Sequence, residues 1–416
     1  MSEPERQRQA EIQALARLAG DELGGAIEGI AAVHRAVSDR VFAAVRLGVG
    51  PAAQPVKMVH DAITDGVYRL VGGTAVAAGA FAERAVDVPD ARAPSRTVYG
   101  SGFLAALQGL IGDTLEDERP ILAGPMTFRI NGEPVAPGWV GDVVSNPRSS
   151  IVVFLHGLVE TEHAWRLGGR ASYAERLEAD LDCTTLMVRY NSGLHISENA
   201  RLLNGMLQRL VENWPVEVEQ IALVGHSMGG LIARSACYDA DQADLPWVRR
   251  VRHIVCLGSP HLGAPLEQLV HYASAALVRI PETRPFGRLL RRRSAGIRDL
   301  RHGSLVDEDW HDMDADALRR RVIREVPLLD CADHYFVTAS VTRSPRHPLG
   351  RIVGDGLVLH ASGSGRNRAR RIGFDDENGL HIVGANHFSL LNHEAVYQAL
   401  LRWLAGGASR KSVRCG

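Results

Sequence analysis

The ten residues from Ile221 to Gly230, I-A-L-V-G-H-S-M-G-G, restrict the possible folds of this chain more than any other segment. An uncharged β-type run ends in G-x-S-x-G and passes at once into Leu231-Ile232-Ala233-Arg234-Ser235-Ala236, a segment of helical propensity. Gly225 and Gly229 permit a sharp turn between strand and helix, so the hydroxyl of Ser227 stands clear above a sheet as a nucleophile. The plainer alternative is a serine that caps the helix N-terminus with its side chain.

A nucleophilic serine needs a base, an acid that orients it and donors for the oxyanion, and candidates follow in chain order. Ile151 to Leu155 is a short β-branched run suited to a strand buried on both faces, and it ends in His156-Gly157-Leu158. The glycine lets that loop come close, so the backbone N–H of Leu158 can face the oxyanion beside the N–H of Met228. His387, in N-H-F-S-L-L after the apolar Ile382-Val383 and before the amphipathic segment from Glu394 to Leu404, is chosen from 17 histidines by position; His393 is its reserve. Asp355, in V-G-D-G-L-V beyond the strand-like run from His334 to Val341, would hold the imidazole in the required tautomer. The same dipeptide favours a plain D-G turn, and Asp330, Asp375 and Asp376 are the other acids in range.

Around these residues strand and helix alternate: Thr185 to Tyr190, then Asn199 to Trp214, the Ser227 turn, Val251 to Leu257, the Tyr335 strand and a closing helix. Alternation of this kind means α/β architecture, a mostly parallel sheet with helices on both faces and a site at the C-terminal strand ends. Asn131-Gly132 between Thr127-Phe128-Arg129-Ile130 and Pro134-Val135 signals a hairpin ahead of the parallel strands. Three regions are expected: N-terminal helices over 1–124, an α/β domain over 125–408 with a cap at about 266–330, and a tail over 409–416.

In the first region amphipathic stripes run through Ile27, Ile30, His34, Val37, Val41 and Val45, through Val59, Ile63, Val67 and Leu70, and through Phe103, Leu107, Leu110 and Ile111, with a Pro- and Asp-rich linker from Val86 to Arg96. Packing against the rest of the protein is the ordinary use of such stripes; lying on a membrane or pairing with a second copy are the others. The cap would hold the apolar segment Leu266 to Ile280 and the basic clusters Arg288, Arg291 to Arg293 and Arg319 to Arg321, which form a solvated face or a grip for an anionic group.

G-H-S-M-G-G, the earlier H-G-L, Gly258-Ser259-Pro260-His261-Leu262-Gly263-Ala264-Pro265, G-D-G-L-V and N-H-F-x-L-L together resemble the bacterial lipase and esterase branch of the α/β-hydrolase fold, including lipase-like proteins related to GPI-inositol deacylases. The likeness runs from about Pro125 to Leu404. It implies a triad of Ser227, Asp355 and His387, oxyanion donors on Leu158 and Met228, and hydrolysis of hydrophobic or lipid-like esters through an acyl-enzyme. An acyltransferase or thioesterase would share that first half-reaction, and a binding protein that merely keeps the fold is the non-enzymatic alternative.

Composition narrows the remaining classes. A formal net charge of -1 argues against a general nucleic-acid binder, so the expected partner is a small-molecule or lipid ester, with peripheral membrane contact open. No cofactor or metal is implied: H-E-x-x-H, a Walker A loop and a G-x-G-x-x-G opening a helix are absent, and Gly363-Ser364-Gly365-Arg366 leads into a basic loop. The five cysteines form no C-x-x-C pair and are expected as free thiols in a reducing compartment. Charge in Met1-Ser2-Glu3-Pro4-Glu5-Arg6 stands where a signal peptide would be apolar, and the longest apolar candidate for a span, the Gly/Ala-rich Leu70 to Ala82, is short of the roughly 20 residues that cross a bilayer. A cytoplasmic location is the resulting expectation.

Overall fold

The computed structural model describes residues 2–22, 92–264, 294–311, 323–343, 353–368 and 370–405. The stripes from Ile27 to Leu70, the segment Leu266 to Ile280, the arginines at 288, 291–293 and 319–321, and the tail 409–416 lie outside the described residues.

Eight strands form one sheet in the order β2-β1-β4-β3-β5-β6-β7-β8. Strands β1 (Thr127–Ile130) and β2 (Glu133–Val135) make the hairpin read from Asn131-Gly132; both turn residues have positive φ, 53° and 83°, as a tight two-residue turn requires. β1 runs antiparallel to β4 (Thr184–Arg189), and from there β3 (Ser150–Leu155), β5 (Gln220–His226), β6 (Val251–Leu257), β7 (Asp333–Ser340) and β8 (Gly379–Val383) are all parallel. After β3 the chain steps outward to β4, then returns across β3 to β5 and continues the other way. That reversal puts a crevice at the C-terminal ends of β3 and β5, where an open α/β sheet places its ligand site.

Because side chains alternate along a strand, β3 feeds two cores at once. Ile151, Val153 and Leu155 pack with helices α4 (Ile196–Asn213) and α5 (Met228–Gln242), while Val152 and Phe154 pack with α3 (Tyr173–Asp180) and α7 (Glu394–Ala405). A third cluster joins α1 (Glu3–Glu22) to α2 (Val98–Glu118) through Leu18, Phe103, Leu104, Leu107 and Leu115. In the expected linker, Ser95 is tied down, since buried Glu11 of α1 accepts from its N–H at 2.9 Å and from its hydroxyl at 2.6 Å.

Helix α2 also reaches the sheet. Asn191 Nδ2 donates to the carbonyl of Gly112 at 2.9 Å, and Ser294 donates from its N–H to Leu110 and from its hydroxyl to Gly109, at 2.9 and 2.6 Å. Ser294 caps α6 (Ala295–His302), the described helix of the insertion after β6. Asp113 of α2 accepts from Ala295 N–H at 2.9 Å and from Arg298 at 3.1 Å.

Two expectations are corrected. Cys183, Cys237 and Cys256 are buried free thiols, but Cys331 is disulfide-bonded, so the cysteines are not uniformly reduced. Leu110, read as part of a buried stripe, is exposed, and at Ile111 the backbone of α2 leaves helical geometry (φ -140°), so the stripe ends in a kink. Among the described residues no helix is long and apolar enough to cross a membrane.

Candidate active site

Ser227 sits between β5 and α5 with φ 51° and ψ -116°, a conformation that costs a non-glycine residue about 1–3 kcal/mol and persists only where neighbours enforce it. Its N–H donates to Leu257 of β6 at 2.8 Å, and its carbonyl accepts from Gly230 at 3.3 Å. The glycines of the motif supply the close fit: a Cβ on Gly229 would overlap the Leu155 carbonyl and lie 2.6 Å from that of His156, and one on Gly225 would overlap the first turn of α5. The Ser227 side chain makes no capping bond to α5, contrary to what an N-cap serine does. The hydroxyl, half-buried, is spent on nothing local.

Contact between Gly229 and the end of β3 brings the N–H of Met228, among the first four that a helix cannot pair internally, beside the loop His156 to Glu160. That loop is held from both sides. The His156 ring stacks on Tyr190 with centroids 4.1 Å apart, accepts from Tyr190 N–H at Nε2 (3.3 Å) and therefore donates from Nδ1 to the Gly157 carbonyl (2.8 Å). Burial pushes this imidazole down to about 4, keeping it neutral. Gly157 N–H donates to Glu160 at 2.7 Å and Val159 N–H to Ser192 Oγ at 3.2 Å. None of the described hydrogen bonds uses the intervening N–H of Leu158. Val159 has φ 57°, unusual strain for a β-branched residue.

Asp355 and His387 meet at the other side of the crevice. His387 Nδ1 lies 2.8 Å from Asp355 Oδ2, its N–H donates to the Asp355 carbonyl at 3.0 Å, and both side chains are buried. The D-G turn is also real: Asp355 Oδ1 accepts from Leu357 and Val358 N–H at 2.9 and 2.7 Å, with Gly354 and Gly356 at positive φ. One carboxylate oxygen thus shapes the turn and the other faces the histidine. Burial alone would lower the His387 pKa, but the Asp355 charge and hydrogen bond, with a smaller effect of Glu160, raise it above the ordinary value of 6.5.

Two contacts set His387 against residues around the Ser227 turn. The ring of His226, the residue before Ser227, lies 4.6 Å from the His387 ring. Gly258, which follows the partner of Ser227 N–H, is so close that a Cβ there would be 3.0 Å from His387 Cε1. The reserve candidates lie elsewhere. His393 opens α7, where its Nδ1 accepts from Ala395 and its N–H donates to Tyr173. Asp376 pairs with Arg366 in solvent, Asp375 precedes a short turn and Asp330 is exposed.

Buried Glu160 and His226 were not singled out in the sequence. The glutamate is three residues beyond Gly157, a spacing that lets a carboxylate reach back to that N–H, and this was the available signal. Burial favours the neutral form of Glu160, yet the adjacent His226 and the Gly157 N–H hold its pKa below the usual range. Among the described residues no group of three or more His, Cys, Asp or Glu is placed to hold a metal ion.

No curated protein matches the sequence. Among solved structures, the chain is similar to the mature lipase BlEst2 of Bacillus licheniformis (15% identity over 64% of this chain and 96% of that one, TM-score 0.39). It is similar also to phospholipase PlaB of Legionella pneumophila (17%, 63% and 60%, TM-score 0.40) and to the thioesterase RedJ of Streptomyces coelicolor (20%, 62% and 89%, TM-score 0.32). The model of the PGAP1-like alpha/beta domain family matches residues 151–318, a stretch that starts in β3 and holds the His156 loop, the Ser227 turn and α6. The chain carries a PGAP1-like alpha/beta domain, set in an α/β-hydrolase fold.

Proposed function

We propose that this protein is a serine carboxylester hydrolase that cleaves hydrophobic or lipid-like acyl esters through an acyl-enzyme on Ser227. The observation that carries the reading is a strained serine with no capping bond, in a chain whose preceding residue, His226, lies against a buried histidine with its Nδ1 held by a carboxylate. With Nδ1–H donated to Asp355, Nε2 of His387 is the free basic position, and it takes the Ser227 proton as Oγ attacks the ester carbonyl. The N–H groups of Leu158 and Met228 receive the negative charge that forms on the carbonyl oxygen. His387 then returns the proton to the leaving alkoxide, and water, deprotonated by the same histidine, releases the acid.

The test is hydrolysis of p-nitrophenyl esters from short to long acyl chains by the wild type and by Ser227→Ala. The variant is expected to melt at the wild-type temperature and to have no turnover. A long-chain preference in the wild type makes the enzyme a lipase, and a short-chain preference an esterase. Turnover retained by the folded variant overturns the assignment.

A further inference from the structure

The proton route described above leaves unused the buried ionisable pair that adjoins it, Glu160 and His226. Glu160 faces His226 Nδ1 with both oxygens, at 2.9 and 3.0 Å, while its Oε2 also accepts from Gly157 N–H. On the far side of the ring, His226 Nε2 is 3.3 Å from the backbone carbonyl of His387. His226 is 0% and Glu160 8% exposed.

A single line of hydrogen bonds therefore crosses three elements: the loop after β3, the last residue of β5 and the loop after β8. Each imidazole nitrogen of His226 faces an oxygen, Nδ1 the Glu160 carboxylate and Nε2 the His387 carbonyl. A pair serving fold stability alone would have no reason to end on these groups. One end holds the N–H next to Leu158, the other holds the carbonyl of the catalytic histidine, and the middle residue adjoins Ser227.

We propose, on the basis of the hydrolase reading above, that Glu160 and His226 are positioning residues that hold the oxyanion loop and His387 in register with Ser227. Neither touches the reacting atoms. The charged and titratable groups around His387 are Asp355 from the segment after β7, Glu160 from the loop after β3 and His226 from β5. Of these, the two carboxylates favour its protonated form. Removing the charge of Glu160 therefore moves the titration of His387 to lower pH, while loss of positioning shows separately in the labelling rate of Ser227.

The experiment uses the full chain as wild type, Glu160→Gln, Glu160→Asp and His226→Gln, with melting temperatures recorded for each. Two readouts are followed: the rate at which an alkyl fluorophosphonate labels Ser227, by intact mass, and the titration of the His387 ring by NMR, assigned with His387→Asn. In E160Q, labelling is expected to slow on the order of 10²-fold, as for a small misplacement of reacting groups, with the His387 midpoint moved to lower pH. E160D keeps the charge but not the reach, so its midpoint stays near the wild type while labelling is slow. H226Q keeps a donor where Nε2 faces the His387 carbonyl but has none where Nδ1 faces Glu160, so it breaks the link to Glu160 and also labels slowly. Wild-type labelling rate and midpoint in folded E160Q would overturn the dyad. If the wild type itself resists the probe, the hydrolase reading falls and with it the role of the dyad in catalysis; the NMR midpoint, which needs no activity, then decides whether Glu160 acts on His387 at all.

Discussion

Asp355 divides its carboxylate between a turn and a histidine, which makes its substitution by asparagine informative. Asparagine keeps the oxygen that accepts from Leu357 and Val358, so Asp355→Asn is expected to fold. It loses the negative charge and presents the wrong partner to His387 Nδ1. A fall in kcat of about 10³- to 10⁴-fold, with a melting temperature close to wild type, is the expected result. The raised His387 pKa sets a second expectation. Catalysis needs the neutral ring, so kcat/KM rises with pH along a limb centred above 6.5. The stability that His387 gains from its carboxylate neighbours has the opposite dependence. It is complete below the unfolded-state value and is lost as pH rises through the folded-state value. Measured together, activity should climb through the same interval in which this contribution to the unfolding free energy declines.

At the scale of elements, what could be read in the sequence divides by the kind of packing. Strands β3 and β5 were legible because burial on both faces leaves uncharged apolar runs, β6 and β7 from their place in the strand–helix alternation, and the hairpin because Asn-Gly supplies two positive φ values. The pairing of Asp355 with His387 was legible as an order of motifs, but the Glu160–His226 link was not. Its partners are 66 residues apart and only the strand order β3-β5 joins them. Helix α2 misled for a related reason. Its Gly109 and Gly112 are buried by close backbone approach, so the apolar periodicity of side chains gives no sign of that contact. A Cβ on Gly109 would overlap the Cγ1 of Val159, the strained residue next to Leu158. Gly109→Ala is accordingly expected to cost about 1–3 kcal/mol by overpacking and to lower kcat more than it changes KM. Thermal unfolding and steady-state kinetics of the same preparation check both.

Across the whole molecule, the parallel sheet gathers the candidate groups at the C-terminal ends of its strands, and helix α2 reaches the same end at Asn191 and Val159. Asp113 adds to the Ser294 bonds a side-chain link, joining α2 to α6 through one backbone and one side-chain bond. Asp113→Ala should lower stability by about 1–2 kcal/mol in urea unfolding. Asp117→Ala, on the exposed side of the same helix, should change it by less than about 0.5 kcal/mol.

The contact of Gly109 with Val159 has a thermodynamic consequence, because coupling between two places in a molecule is reciprocal. If the position of α2 sets the shape of the loop that carries the Leu158 amide, then occupancy of that amide must act back on α2. A phosphonate fixed on Ser227, with its oxygen lodged between Leu158 and Met228, should slow amide hydrogen exchange in the kinked turn of α2 from Leu107 to Leu115. Exchange there unchanged by the adduct would mean that the helix touches the loop without sharing any free energy with it.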